Sequence, residues 1–193
     1  MRKKFDYLEK FLPPHPTFEG TNRNWFCLVS KEEILEAEKK YNFCFPNQLR
    51  EFYSEIGYGS LYAAYNAPIG YRAFMSNKIL PPLVAAAFYK PLEGDNRPED
   101  EYVPINAGDD AHYMAAMTYE MLQPGDLPFF EVGDGTNFLV MRPHSENPNA
   151  VWSDCGVKIE DSFERFIWRL YHEDPAYYGD IIDAHYNTLE NGG

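Results

Sequence analysis

The chain has 193 residues, with 30 Asp and Glu against 17 Lys and Arg, for a formal charge of −13. A hydrophobic fraction of 45%, including 17% aromatic residues, supplies a packed core and excludes intrinsic disorder, and the length fits one domain. The acidic balance, with no basic stripe, excludes direct nucleic-acid binding, because phosphates are held by Lys and Arg, and it favours a basic partner.

The N-terminus opens with Arg2-Lys3-Lys4, but Asp6 and Glu9 follow at once and no apolar signal-peptide core develops, so a cytoplasmic protein is expected. No run reaches the ~20 apolar residues of a membrane span; the longest candidate, 81–88, begins Pro81-Pro82. Residues 1–24 read as an N-terminal arm, with Phe5, Leu8 and Leu12 amphipathic and Pro13-Pro14-His15-Pro16 ending any helix. The remainder, 25–193, reads as a single domain that includes a C-terminal helix.

Ser30-Lys31-Glu32-Glu33 has capping-box spacing, which predicts a helix over 31–41 with Ile34, Ala37 and Tyr41 on its core face. Pro46 suits the first position of a second helix, whose Leu49, Phe52, Tyr53 and Ile56 recur at helical spacing, and Gly57 stands where a left-handed residue would close it. A strand is expected to follow from Gly57-Tyr58-Gly59-Ser60. The stretch 63–125 is rich in proline and has two legible features. One is an acidic loop over 93–101; the other is a helix over 111–122, whose Met114, Met117 and Met121 suit core filling.

Runs 126–132 and 138–141 are rich in strand-forming residues and flank Gly133-Asp134-Gly135-Thr136-Asn137, which predicts a hairpin. A strand over 150–153 follows. Asp161, read as an N-cap, then starts a helix to His172 with a complete stripe of Phe163, Phe166, Ile167, Leu170 and Tyr171. A last amphipathic helix spans 177–189. The order is helices, strands, helix, without β-α-β alternation, so the expected fold is α+β: a mainly antiparallel twisted sheet packed by helices on one face.

No catalytic, metal or cofactor site is expected. Gly57-Tyr58-Gly59-Ser60 is neither a dinucleotide fingerprint, nor a P-loop, nor a nucleophile elbow. His144-Ser145-Glu146 supplies half of a zinc-deaminase motif without its P-C-x-x-C partner. Cys27, Cys44 and Cys155 are odd in number and widely spaced, which suits neither disulfides nor zinc, and they read as buried apolar thiols.

The joint order of Ile34…Glu38, Phe45-Pro46…Leu49…Phe52-Tyr53…Ile56-Gly57-Tyr58-Gly59-Ser60-Leu61, Phe129-Phe130…Gly133-Asp134-Gly135-Thr136-Asn137-Phe138-Leu139-Val140, Val151-Trp152 and Ser162-Phe163-Glu164-Arg165-Phe166-Ile167 resembles the SMI1/KNR4 family of the SUKH superfamily. That family holds bacterial toxin-immunity proteins and fungal cell-wall regulators. Asn137 and Met141 stand where members usually carry acids, and 63–125 is long for the family.

The resemblance implies a non-enzymatic protein-binding module, first an immunity protein that neutralises a cognate basic toxin of nuclease or deaminase type by charge complementarity. The partner-binding residues expected for it are Glu93, Asp95, Glu99, Asp100 and Glu101, with Tyr89 and Tyr102 as exposed aromatic anchors. A loop that is merely solvated is the plain alternative. The second functional reading is a regulatory or scaffold protein holding a peptide in a pocket of Trp25, Phe26, Tyr62 and Trp152. An enzyme comes third.

Overall fold

The computed structural model describes residues 3–13, 24–61, 77–93, 122–132, 137–174 and 176–191. Among them, seven strands form one antiparallel sheet: β1 Trp25–Cys27, β2 Tyr58–Leu61, β3 Asn77–Ile79, β4 Leu127–Val132, β5 Asn137–Met141, β6 Val151–Ser153 and β7 Lys158–Glu160. Each strand pairs with the next in sequence, so the order across the sheet is β1 to β7 without a crossover. A 3-10 helix, Asp6–Phe11, precedes the sheet, and the α-helices are α1 Lys31–Tyr41, α2 Asn47–Glu55, α3 Pro82–Phe88, α4 Phe163–His172 and α5 Tyr177–Asn191. This is the expected α+β fold. The hairpin turn 133–136 and the methionine helix over 111–121 lie outside the described residues.

The helix boundaries follow from local chemistry. At α1 the capping box closes in both directions: Glu33 N–H donates to Ser30 Oγ at 3.2 Å, and Ser30 N–H donates to Glu33 Oε2 at 2.8 Å. Asn42, with φ 51°, ends α1 in the left-handed conformation that Asn tolerates. Pro46 sits just before α2, as its N-cap, one residue earlier than expected. Ser162, not Asp161, caps α4 by accepting from Arg165 N–H at 3.3 Å. A second clamp binds α4 to α2: Gln48 Oε1 accepts both from Ser162 Oγ at 3.0 Å and from Glu164 N–H at 2.9 Å.

A continuous set of phenylalanine rings joins these elements. Phe26 of β1 meets Phe52 of α2 at 5.9 Å between ring centroids; Phe52 meets Phe5 at 4.9 Å and Phe163 of α4 at 5.4 Å. Phe163 reaches Phe129 of β4 at 5.4 Å, and Phe166 reaches Phe130 at 5.2 Å, all of them edge-on. Phe129 and Phe130 are adjacent in sequence yet both buried, because the β4–β5 register shifts between Pro128 and Phe130. The segment read as an arm feeds this same core through Phe5, Leu8 and Phe11. Phe11, rather than Leu12, completes the buried row because a 3-10 helix repeats every three residues.

Two glycines let β1 lie close to β2. Gly57 has φ 96°, and a Cβ there would fall 1.8 Å from the Cys27 carbonyl oxygen. A Cβ on Gly59 would fall 2.0 Å from the Trp25 carbonyl oxygen, and only backbone movement could relieve that overlap. Gly59→Ala should therefore displace β1 and destabilise the fold by about 1–3 kcal/mol, the usual cost of overpacking. Gly179→Ala, in open space on α5, should be neutral or stabilising by up to about 1 kcal/mol. Urea unfolding of both variants checks this contrast.

Candidate protein-binding surfaces

The acidic segment springs from a fixed base. Lys90 N–H donates to the Asp126 carbonyl at 2.9 Å, Gly125 N–H donates to the Lys90 carbonyl at 2.7 Å, and Lys90 Nζ donates to the Leu122 carbonyl at 2.7 Å. The described chain on the two sides of 94–121 is thus stitched together. Glu93 is exposed. Asp95, Glu99, Asp100, Glu101 and Tyr102 lie outside the described residues.

Tyr89 corrects the sequence reading. It is 4% exposed and stacked on Phe43 at 4.7 Å with the rings 19° from parallel, so it anchors the base of the segment and presents no free aromatic face. Its burial depends on a residue 46 positions earlier, which no local pattern reveals.

Asp126, also at this base, is fully buried. Arg142 Nε donates to Asp126 Oδ1 at 2.8 Å, and Gln123 N–H donates to Oδ2 at 2.9 Å. Burial outweighs these partners and raises the carboxyl above the ordinary aspartate range. The Arg142 guanidinium also lies over the Trp152 ring, 4.8 Å from its centroid, and Lys158 Nζ stands 5.7 Å from that centroid.

The expected aromatic pocket does not assemble. Trp25 is on β1 and Trp152 on β6, five strand spacings or about 24 Å apart across the sheet. Phe26 is 1% exposed and belongs to the core, and Tyr62 lies outside the described residues. The cysteines also differ from expectation: Cys44 and Cys155 are exposed and Cys27 is half-buried. Cys44 alternates outward between buried Phe43 and Phe45, whereas Cys155 sits in the turn between β6 and β7.

A groove of about 520 Å³ between α1 and α2, which the sequence did not reveal, is lined by Val29, Lys31, Ile34, Arg50, Glu51 and Glu55 among others. Most of its charges are already engaged. Arg50 pairs with Glu38 at 3.1 Å, Lys4 with Glu51 at 2.7 Å, and Glu55 Oε2 accepts from the Lys4 and Phe5 N–H groups. Glu38 is 8% exposed and also accepts from Phe45 N–H at 3.0 Å, so this acid ties α1 to the start of α2. Among the described residues, no group of three His, Cys, Asp or Glu could hold a metal ion, and no helix is long and apolar enough to cross a membrane.

The SMI1 / KNR4 family (SUKH-1) model matches residues 28–169, a span that begins just after β1 and ends within α4. The chain belongs to this family. It is similar to a protein named "Immunity protein YxxD" from Bacillus subtilis (strain 168), with 26% identity over 165 residues that cover 86% of this chain and 95% of the relative. No solved structure matches significantly. The matched span contains the capping box of α1, the two glycines that seat β1, and the α2–α4 clamp, so the family signature coincides with the elements that hold the helices to the sheet.

The buried carboxyl at the base of the acidic segment has a measurable signature. A folded-state pKa raised above the unfolded value contributes stability that is fully present below about pH 3.9 and is lost as pH rises through the folded pKa. Relative to Asp126→Asn, the wild-type chain should lose stability as pH climbs above about 4. Urea unfolding across that window reads the difference, and a constant difference would contradict the assignment.

Proposed function

We propose that this chain is an immunity protein, a non-enzymatic binder that neutralises a cognate toxin inside the cell. The observation that carries the proposal is the likeness to the Bacillus immunity protein over 95% of that relative's length, within one family. The charge of −13 supports a basic toxin domain of nuclease or deaminase type as the target, since such enzymes hold phosphates in cationic grooves. An acidic protein both occupies such a groove and accelerates encounter with it.

On this proposal Glu93, Asp95, Glu99, Asp100 and Glu101 supply the complementary charge and Tyr102 the aromatic anchor. Tyr89 supports that segment from below, through its stack on Phe43. The stitching of Lys90 to Leu122, Gly125 and Asp126 supports the role, because a segment held at both sides loses less freedom on binding.

The test is co-expression with the toxin domain encoded beside the gene, followed by kinetics on the purified pair. The chain should rescue growth, and the association rate should fall by at least about tenfold between low and high salt, as steered encounters do. The triple reversal Glu99→Lys, Asp100→Lys, Glu101→Lys should abolish most of that salt dependence and weaken rescue. Full rescue by the reversed chain with unchanged kinetics would overturn the assignment of this segment.

A further inference from the structure

The two edges of the sheet differ in a way that points to a docking site. An open edge strand presents unpaired N–H and C=O groups, and proteins usually guard it with charge, proline, a bulge or a covering element. β7 is guarded. It carries Lys158 and Glu160, the β6–β7 register shifts between Val151 and Trp152, and α4 and α5 pack along it. Arg169 of α4 fixes Glu160 from above at 2.7 Å.

β1, at the opposite edge, has none of these devices among the described residues. Trp25-Phe26-Cys27-Leu28-Val29 is an uninterrupted apolar run without charge or proline, and its register with β2 is regular. No described strand pairs with its outer side. Leu28 is 61% exposed, the side chain of a large apolar residue standing in water beside that edge. The close seating of β1 on Gly57 and Gly59 ties the strand to β2 on its inner side.

Beyond β1 the chain turns into α1, whose first two turns expose Glu32, Glu33 and Glu36. None of the three has a cation within ion-pair distance among the described residues, and Lys31 is the single basic residue of that turn. Along the chain, the apolar run 25–29 is therefore followed at once by an exposed acidic turn.

We propose that β1 is a strand-addition site for an extended segment of a partner protein that combines β-branched residues with Lys or Arg. Backbone hydrogen bonds to the outer side of β1 supply the affinity, Leu28 and Trp25 supply apolar contact, and Glu32 and Glu36 select for positive charge. For the natural partner this rests on the immunity-protein reading above; the strand-addition chemistry does not.

The probe is the heptapeptide Lys-Val-Lys-Val-Lys-Val-Lys, titrated into the ¹⁵N-labelled full chain and followed by amide chemical shifts. The largest shifts should fall on residues 25–29 and on the first turns of α1. N-methylation of alternate peptide nitrogens, which removes strand donors, should weaken binding at least about tenfold, and replacing every Lys by Glu should do the same. Leu28→Lys adds the missing guard on an exposed side chain; it should leave the unfolding midpoint unchanged and weaken the basic peptide at least about tenfold.

Shifts centred elsewhere, no binding, or equal binding of the N-methylated peptide would overturn the proposal. Peptide binding at β1 in a chain that rescues no toxin would leave strand addition standing and contradict the immunity reading instead.

Discussion

The packing of phenylalanine edges against phenylalanine faces is the constraint on which the rest of the molecule depends. Phe163 alone touches Phe5, Phe52 and Phe129, and so joins the residue that precedes the 3-10 helix, α2, α4 and β4 at one ring. Such pairs contribute about 0.5–1.5 kcal/mol each beyond the area they bury, and their preferred angles set orientation as well as proximity. That orientation matters here because several strands are only three residues long and make few ladder hydrogen bonds of their own. The rings hold the helices to the sheet, and the sheet in turn presents β1 at one edge and the base of the acidic segment beside β4.

The elements read from the sequence are those with strong local signals. The capping box fixes α1 by contacts three residues apart, and the apolar stripe of α4 runs over most of the helix. β1, β3 and β7 went unread because three residues cannot display a two-residue period against background, and their register is set by neighbours far along the chain. Tyr89 and Glu38 show the same limit in side chains. One is an aromatic in an acidic neighbourhood that turns inward onto Phe43, and the other is an acid on a charged helix that turns inward to Arg50 and Phe45. In both cases the decisive partner is non-local.

Charge divides along structural lines. Many acids are consumed by the fold: Glu33 in a cap, Glu38 and Glu55 on backbone N–H groups, Asp126 under Arg142 and Glu160 under Arg169. The acids left without such duties include Glu32 and Glu36 on α1, and Glu93 where the acidic segment begins. These exposed acids carry negative charge that the fold does not use, and under the proposed function they are available to a basic partner. The charges of the groove between α1 and α2 are largely neutralised from within, which makes it a structural seam.

Hydrogen exchange on the full chain, free and in the presence of the toxin domain proposed as its partner, tests this account most directly. The account predicts slowed exchange in 24–33 and 93–102 while α2, α4 and β4, already locked by the aromatic rings, stay unchanged. Slowed exchange centred on the α1–α2 groove or on α5, with both of those segments unaffected, would contradict it.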